Sequence, residues 1–285
     1  MAAKEKLGGG QVEYVKEIQN SKISARNLDK SFTTGGVTRH ILNNINFDIK
    51  EGEFVCLLGP SGCGKSTILN MVSGLDRDYK GKIFLEGKLA YARGEGEEPE
   101  CNMTYLFQEP RLLPQMTVEK NLYFALKCAK VPKKLWKEQT EKMLKLVHLE
   151  GVEKHYIHEL SGGMQHRVAI ARAFIVNPNI ILMDEPFSAL DELTARSIRK
   201  TLLDIWREDK KTVVFVTHNA MEATFLADRI FMFSANPGEI EEIKTIDLPR
   251  PRQYESDELF RTNQEVVTRF MEIIGKEKRN EKGGA

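Results

Sequence analysis

Lys65 closes the run Gly59-Pro60-Ser61-Gly62-Cys63-Gly64-Lys65-Ser66-Thr67, which fits the pattern G-x-x-x-x-G-K-[ST]. Glycines at these spacings let backbone N–H groups turn inward around phosphate oxygens, and a following helix adds the positive end of its dipole. A lysine at this point reaches the β- and γ-phosphates, and the Ser66 hydroxyl can complete a Mg²⁺ shell. The chemistry is nucleoside triphosphate binding. Two adjacent carboxylates, Asp184 and Glu185, follow the apolar run Ile180-Ile181-Leu182-Met183. Asp184 suits outer-shell contact with the Mg²⁺, and Glu185 is better placed to polarise an attacking water. His218, just beyond Val213–Val216, can hydrogen-bond a γ-phosphate and keep water and Glu185 in register. Gln108 carries an amide that can both ligate Mg²⁺ and orient water. Ser161-Gly162-Gly163 ahead of a helix is a second anion-binding geometry. A chain with one phosphate loop has little use for it unless it serves a nucleotide on another subunit. Taken alone, an ordinary Ser N-cap is the simpler account.

These groups need strands that end together. Phe54–Leu58 reads as a buried strand and Ile68–Val72 opens a helix, which is the context a phosphate loop requires. Ile180–Met183, Val213–Val216 and Arg229–Phe233 read as further strands with helical stretches between them, predicting an α/β parallel sheet. Ligands of such sheets sit outside the carboxyl ends of the strands, so Asp184 and Glu185 point into the crevice of the phosphate loop. Lys22–Leu28 and Ile41–Ile49, with the Lys82–Leu85 and Lys88–Tyr91 pair, predict a small antiparallel sheet beside that core. From Thr117 to about His155 the apolar residues recur at helical spacing, interrupted at Pro132, as expected of an inserted helical subdomain. Beyond Pro249-Arg250-Pro251-Arg252 an amphipathic helix presents Leu259, Phe260, Val266, Val267, Phe270, Met271 and Ile274, a stripe expected to pack back on the core. The charged end, Gly275–Ala285, is expected to be disordered. Residues 1–21 read as a flexible leader and Gly94–Glu100 as an exposed loop.

A net charge of +1 gives no global field for nucleic acid. No stretch approaches the roughly 18 apolar residues of a membrane span, and Met1–Gly10 lacks the apolar core of a signal peptide. The chain is therefore expected to stay in the cytoplasm, where it can dock on a membrane protein. Cys56, Cys63, Cys101 and Cys128 form no C-x-x-C pair and are expected to be reduced thiols. Oxidation of Cys63 would block the phosphate loop, although a small residue filling a tight turn is the simpler reading. His155 and His158 have no third ligand nearby and read as ordinary histidines.

The phosphate loop, Gln108, Leu160-Ser161-Gly162-Gly163-Met164-Gln165, Ile181–Glu185, Ser188-Ala189-Leu190-Asp191 and His218 occur in that order. The ordered set resembles the nucleotide-binding subunit of an ABC transporter over about residues 22–250. The resemblance implies a P-loop NTPase (RecA-like) core with an antiparallel β subdomain and a helical subdomain inserted at about 117–159. It implies ATP and Mg²⁺ as cofactors and two composite sites per dimer. Phe32 then matches the aromatic that stacks on adenine. Gly59, Pro60, Ser61, Gly62, Cys63, Gly64, Lys65, Ser66 and Thr67 hold phosphates and Mg²⁺. Gln108 senses the γ-phosphate, Glu185 is the catalytic base and His218 the switch histidine. Ser161, Gly162 and Gly163 close over ATP held by the opposite protomer, and Asp191 lies in the loop crossing the dimer interface.

Three residues depart from the family pattern: Met164 in place of glutamine, Asn219 in place of aspartate, and Gln115 in place of tryptophan. None of them is a catalytic group. The strings Phe107–Pro114, Leu160–Arg172, Ala227–Arg229 and Asp247–Arg252 are similar to importers of nitrate, sulfonates and taurine. That similarity implies a small anionic cargo and a place at the cytoplasmic face of the membrane. The implied partners are a second copy or a paralogous cassette, integral membrane permease subunits, and, indirectly, an extracytoplasmic solute-binding protein.

Overall fold

A computed structural model of the chain describes residues 18–90 and 101–283, with side chains through Gly275. The Gly94–Glu100 loop and most of the 1–21 leader lie outside the described residues. Among the described residues, ten strands form two sheets. The first is antiparallel, ordered β2-β1-β4-β5, from β1 (Ile23–Thr34), β2 (Val37–Ile49), β4 (Lys80–Leu85) and β5 (Lys88–Ala90). The second is ordered β10-β9-β3-β8-β7-β6, from β3 (Phe54–Leu58), β6 (Met103–Leu106), β7 (Ile180–Asp184), β8 (Thr212–Thr217), β9 (Arg229–Phe233) and β10 (Ile240–Thr245). All its pairings are parallel except β9 with β10. The helices are α1 (Lys65–Val72), α2 (Val118–Cys128), α3 (Trp136–Leu146), α4 (Gly162–Phe174), α5 (Glu192–Glu208), α6 (Ala220–Leu226) and α7 (Asp257–Gly283).

The central strands are buried on both faces, and their period of two divides the core. Phe54, Cys56, Leu58, Ile181, Met183, Val213 and Phe215 pack toward α2 to α7. Val55, Leu57, Ile180, Leu182, Val214 and Val216 pack toward α1 and the antiparallel sheet. Near-continuous apolar runs are what a parallel sheet covered on both sides demands.

Register then decides where the chemistry sits. Leu58 pairs with Thr217, Asp184 with Val216, and Leu106 with Met183. Four carboxyl ends therefore open on one edge, and the phosphate loop, Glu185, His218 and Gln108 all follow directly from them.

Three sequence expectations change. The first hairpin is longer than read, because β1 and β2 run on to pair Thr34 with Val37 across Gly35-Gly36, both at positive φ (59° and 80°). In the C-terminal stripe, Leu259, Val266, Phe270 and Ile273 pack into the core while Phe260, Val267 and Met271 face solvent. The apolar arc is wider than the surface available to cover it. The charged end expected to be disordered continues α7 through Gly283. Residues 276–282 read Lys-Glu-Lys-Arg-Asn-Glu-Lys, rich in strong helix formers that extend a helix already nucleated.

Candidate active site

The phosphate loop begins where β3 ends and becomes the first turn of α1. Gly62 and Gly64 have φ of +83° and +95°, which point successive N–H groups the same way. At Gly64 a Cβ would also lie 2.5 Å from Leu42 Cδ2, so β2 of the antiparallel sheet presses directly on the loop. Gly238, between β9 and β10, presses from another side, and a Cβ there would stand 2.0 Å from the Cys63 carbonyl oxygen. Gly238 N–H donates to Ile41 O at 2.8 Å, and its own carbonyl accepts from Asn43 N–H at 3.1 Å. This three-way junction left no mark in the sequence beyond one glycine.

Lys65 is only 4 % exposed. Its Nζ donates to the carbonyls of Gly59 (2.9 Å) and Pro60 (2.8 Å), with Cys63 Sγ at 3.7 Å. The ammonium is therefore held within the loop by two backbone carbonyls and a thiol sulfur, all of them neutral. Ser61, Gly62 and Ser66 are exposed, and Thr67 follows in the first turn of α1. Cys63 is buried at 1 % exposure, as a residue filling a tight turn should be.

Ser66 Oγ donates to Asp184 Oδ1 at 2.8 Å, which brings the two expected Mg²⁺ contacts together. Burial pushes the Asp184 carboxyl above its ordinary range. The Ser66 bond pulls it back, the neighbouring Glu185 charge pushes it further up, and a bond from Tyr105 again pulls it down. A carboxylate raised in this way gains from a divalent cation, and a hydroxyl beside it supplies a second hard oxygen ligand, so these residues fit Mg²⁺. Tyr105, which sequence reasoning missed, donates its hydroxyl to Asp184 Oδ2 at 3.3 Å and stacks on Phe107 with centroids 4.2 Å apart.

Glu185 sits at φ +44°, a conformation costing a residue with a side chain about 1–3 kcal/mol. Three bonds hold it there. Its N–H donates to Val216 O at 3.1 Å, and its carbonyl accepts from Ser188 N–H (3.2 Å) and Ser188 Oγ (3.0 Å). Its carboxylate Oε2 lies 2.9 Å from His218 Nδ1. Gln108 Nε2 donates to Ser188 Oγ at 3.1 Å, so Gln108 reaches Glu185 through Ser188. Ser188 was legible as part of a string, but its bridging role was not.

The remaining candidates lie at two helix starts and on β1. Ser161 caps α4, accepting from Met164 N–H at 3.3 Å, and Asp191 caps α5, accepting from Thr194 N–H at 3.0 Å. A Cβ on Gly163 would meet Thr194 Cγ2 at 2.7 Å, so the two caps touch each other. Phe32 is 46 % exposed, with Lys30 Nζ 4.6 Å from its ring centre. His155 and His158 join no cluster of metal-binding side chains among the described residues.

A phosphate loop with a buried lysine, a Mg²⁺-fitting Ser–Asp pair and a carboxylate–histidine pair on one sheet edge define a P-loop nucleoside triphosphatase. The family model described as ABC transporter matches residues 42–188. An uncharacterised ABC transporter ATP-binding protein of Methanocaldococcus jannaschii is 44 % identical over 246 residues, 86 % of this chain and 90 % of that protein. An aliphatic sulfonates import ATP-binding protein of Bacillus licheniformis is 42 % identical over 250 residues, covering 87 % and 94 %. A bicarbonate transport ATP-binding protein of Synechococcus elongatus is 41 % identical over 233 residues, covering 80 % and 81 %. A dimeric ATP-binding cassette solved in a post-hydrolysis state with ADP and Pi superposes with a TM-score of 0.67 at 33 % identity, covering 80 % of this chain and all of that one. The chain belongs to the ABC transporter family. It is an ATPase of that family, with ATP and Mg²⁺ as its ligands.

Proposed function

We propose that this chain drives uptake of a small oxyanion by hydrolysing ATP at the cytoplasmic face of a membrane, as one of two cassettes beneath integral permease subunits. Relatives named for sulfonate and bicarbonate transport support the cargo class, since both are small oxyanions. The dimeric cassette supports pairing of two copies. No helix among the described residues is long and apolar enough to cross a membrane, so the span would come from a permease partner. A solute-binding protein outside the membrane would deliver the anion.

The observation that carries the catalytic reading is the 2.9 Å contact between Glu185 Oε2 and His218 Nδ1 on the edge that also holds Lys65. In this reading the backbone N–H groups of Ser61–Thr67 and the Lys65 ammonium cradle the triphosphate, and Phe32 lies against the adenine. Ser66, Asp184 and Gln108 would hold Mg²⁺, which would supply neutralisation of the triphosphate's charge. Glu185 accepts a proton from water as it attacks the γ-phosphate, and His218 fixes the carboxylate and donates to the transferring group. Ser161, Gly162, Gly163 and Asp191 complete the site on the opposite protomer. Because ATP is gripped from both sides only in the closed dimer, binding favours closure, and hydrolysis releases it.

Glu185→Gln keeps the shape and removes the base. Turnover should fall about 100-fold or more while ATP binding persists. Near-normal ATPase in that variant would reject the assignment.

A further inference from the structure

Arg199 is a buried arginine in α5, 1 % exposed, and is not among the residues assigned above to nucleotide binding. Its guanidinium joins three segments that are distant in sequence. Nη2 donates to Glu192 Oε2 and to Glu222 Oε1, each at 3.0 Å, and Nη1 donates to Tyr254 Oη at 2.9 Å. Glu192 is the first residue of α5, directly after Asp191. Glu222 Oε2 accepts from Thr217 Oγ1 at 2.6 Å, and Thr217 Oγ1 accepts from Asn219 N–H at 2.9 Å. Those bonds bracket His218 on both sides. Asn219 then caps α6, accepting from Met221 and Glu222 N–H at 2.9 and 3.2 Å.

Tyr254 comes from the segment leading into α7. Its ring stacks on Phe225 of α6 with centroids 4.1 Å apart. Two residues earlier, Arg252 donates to the carbonyls of Thr224, Phe225 and Ala227, satisfying the C-terminal end of α6. The same C-terminal segment therefore grips α6 at its far end and reaches Arg199 at its near end. A single cavity of about 120 Å³ is lined by Glu185, Ser188 and His218 and also by Glu192, Arg199 and Glu222, so the lock and the chemistry border the same space.

We propose that Arg199 is a positioning residue that holds the Asp191 loop and the His218 loop as one unit, and that Tyr254 sets the stiffness of that unit, so the C-terminal segment tunes ATP turnover. This rests on the roles assigned above to Glu185 and His218. A neutral residue at 199 would strand two carboxylates, so Arg199→Met is open to misfolding. Tyr254→Phe is the cleaner test because it deletes one oxygen and keeps the stack on Phe225.

In the full-length chain, Tyr254→Phe should lower kcat about 3- to 10-fold, less than the full worth of a hydrogen bond to a charged group because Tyr254 acts on the reaction only through Arg199, with KM for MgATP within about twofold of wild type. Arg199→Lys, which keeps the charge but loses the fork, should lower kcat in the same way, and combining the two should cost less than the product of the single effects. An unchanged kcat in both variants overturns the proposal. So does a kcat loss that tracks the fall in Tm across the series, since that would mark a purely structural role. If wild-type protein hydrolyses no ATP, or Glu185→Gln turns over normally, the function reading fails instead. The two failures are therefore distinguishable.

Discussion

Lys65 and Arg199 are both buried cations near one catalytic edge, at 4 % and 1 % exposure, and they are satisfied in opposite ways. Arg199 lies between two carboxylates and a phenol. Burial alone would draw its proton affinity down, but the bonds to Glu192, Tyr254 and Glu222 more than offset this and raise it. Lys65 bonds only to the carbonyls of Gly59 and Pro60 and the Cys63 sulfur; no carboxylate is in ion-pair contact with it among the described residues, and the Asp184 charge acts on it at longer range. Both arrangements satisfy hydrogen bonding, but only one neutralises the charge. A buried cation that faces anions has its charge met within the fold, whereas Lys65, facing neutral dipoles in the phosphate loop, can gain from an anionic ligand; Arg252, also bonded to carbonyls, instead serves as a clamp on α6.

The comparison can be broken at either residue. Lys65→Met should cut ATPase by at least about 100-fold, the scale of losing a donor aimed at developing charge. It should leave the Tm of the ligand-free protein within a few degrees of wild type. A large loss of stability would show that Lys65, too, is structural. Arg199→Met should do the reverse, destabilising the fold by about 3 kcal/mol because Glu222 is left buried without its partner. Denaturant unfolding measures this, and adding Glu222→Gln should restore part of the loss.

The smallest effect belongs to Asp184. Its carboxyl is raised by burial, so its contribution favours folding at low pH and is lost as pH rises through the raised value. At neutral pH the ionised form is a cost to folding. Asp184→Asn should therefore raise the Tm of the ligand-free protein by about 2 °C at pH 7, with the gap closing toward pH 4. The same variant should lose the stabilisation that Mg²⁺-ATP gives to wild type. A lower Tm at pH 7 would contradict the burial argument.

Much of the site was legible in the chain because its parts are local. A Gly-rich loop between a strand and a helix, a carboxylate pair after four apolar residues, and a Ser before two glycines each act through neighbouring backbone. The three strands read from apolar runs are present as β7, β8 and β9. The strand β10 was missed because Ile240-Glu241-Glu242-Ile243-Lys244-Thr245 is half polar, as an exposed edge strand should be. The C-terminal stripe was read too broadly, since periodicity shows which residues share an arc and not how much of that arc finds a partner.

The sequence by itself determined that this chain binds a nucleoside triphosphate, because loop and helix-terminus chemistry depends on residues adjacent along the backbone. Tertiary structure alone decided that Gly238 wedges the phosphate loop, that Ser188 links Gln108 to Glu185, and that Arg199 joins Glu192, Glu222 and Tyr254. Those partners are brought together by strand register and helix packing, which place residues far apart in sequence within hydrogen-bond distance, 80 positions for Gln108 and Ser188 and 118 for Ser66 and Asp184. Spacing in one dimension carries no information about such meetings, and only the folded arrangement of the sheet edge creates them.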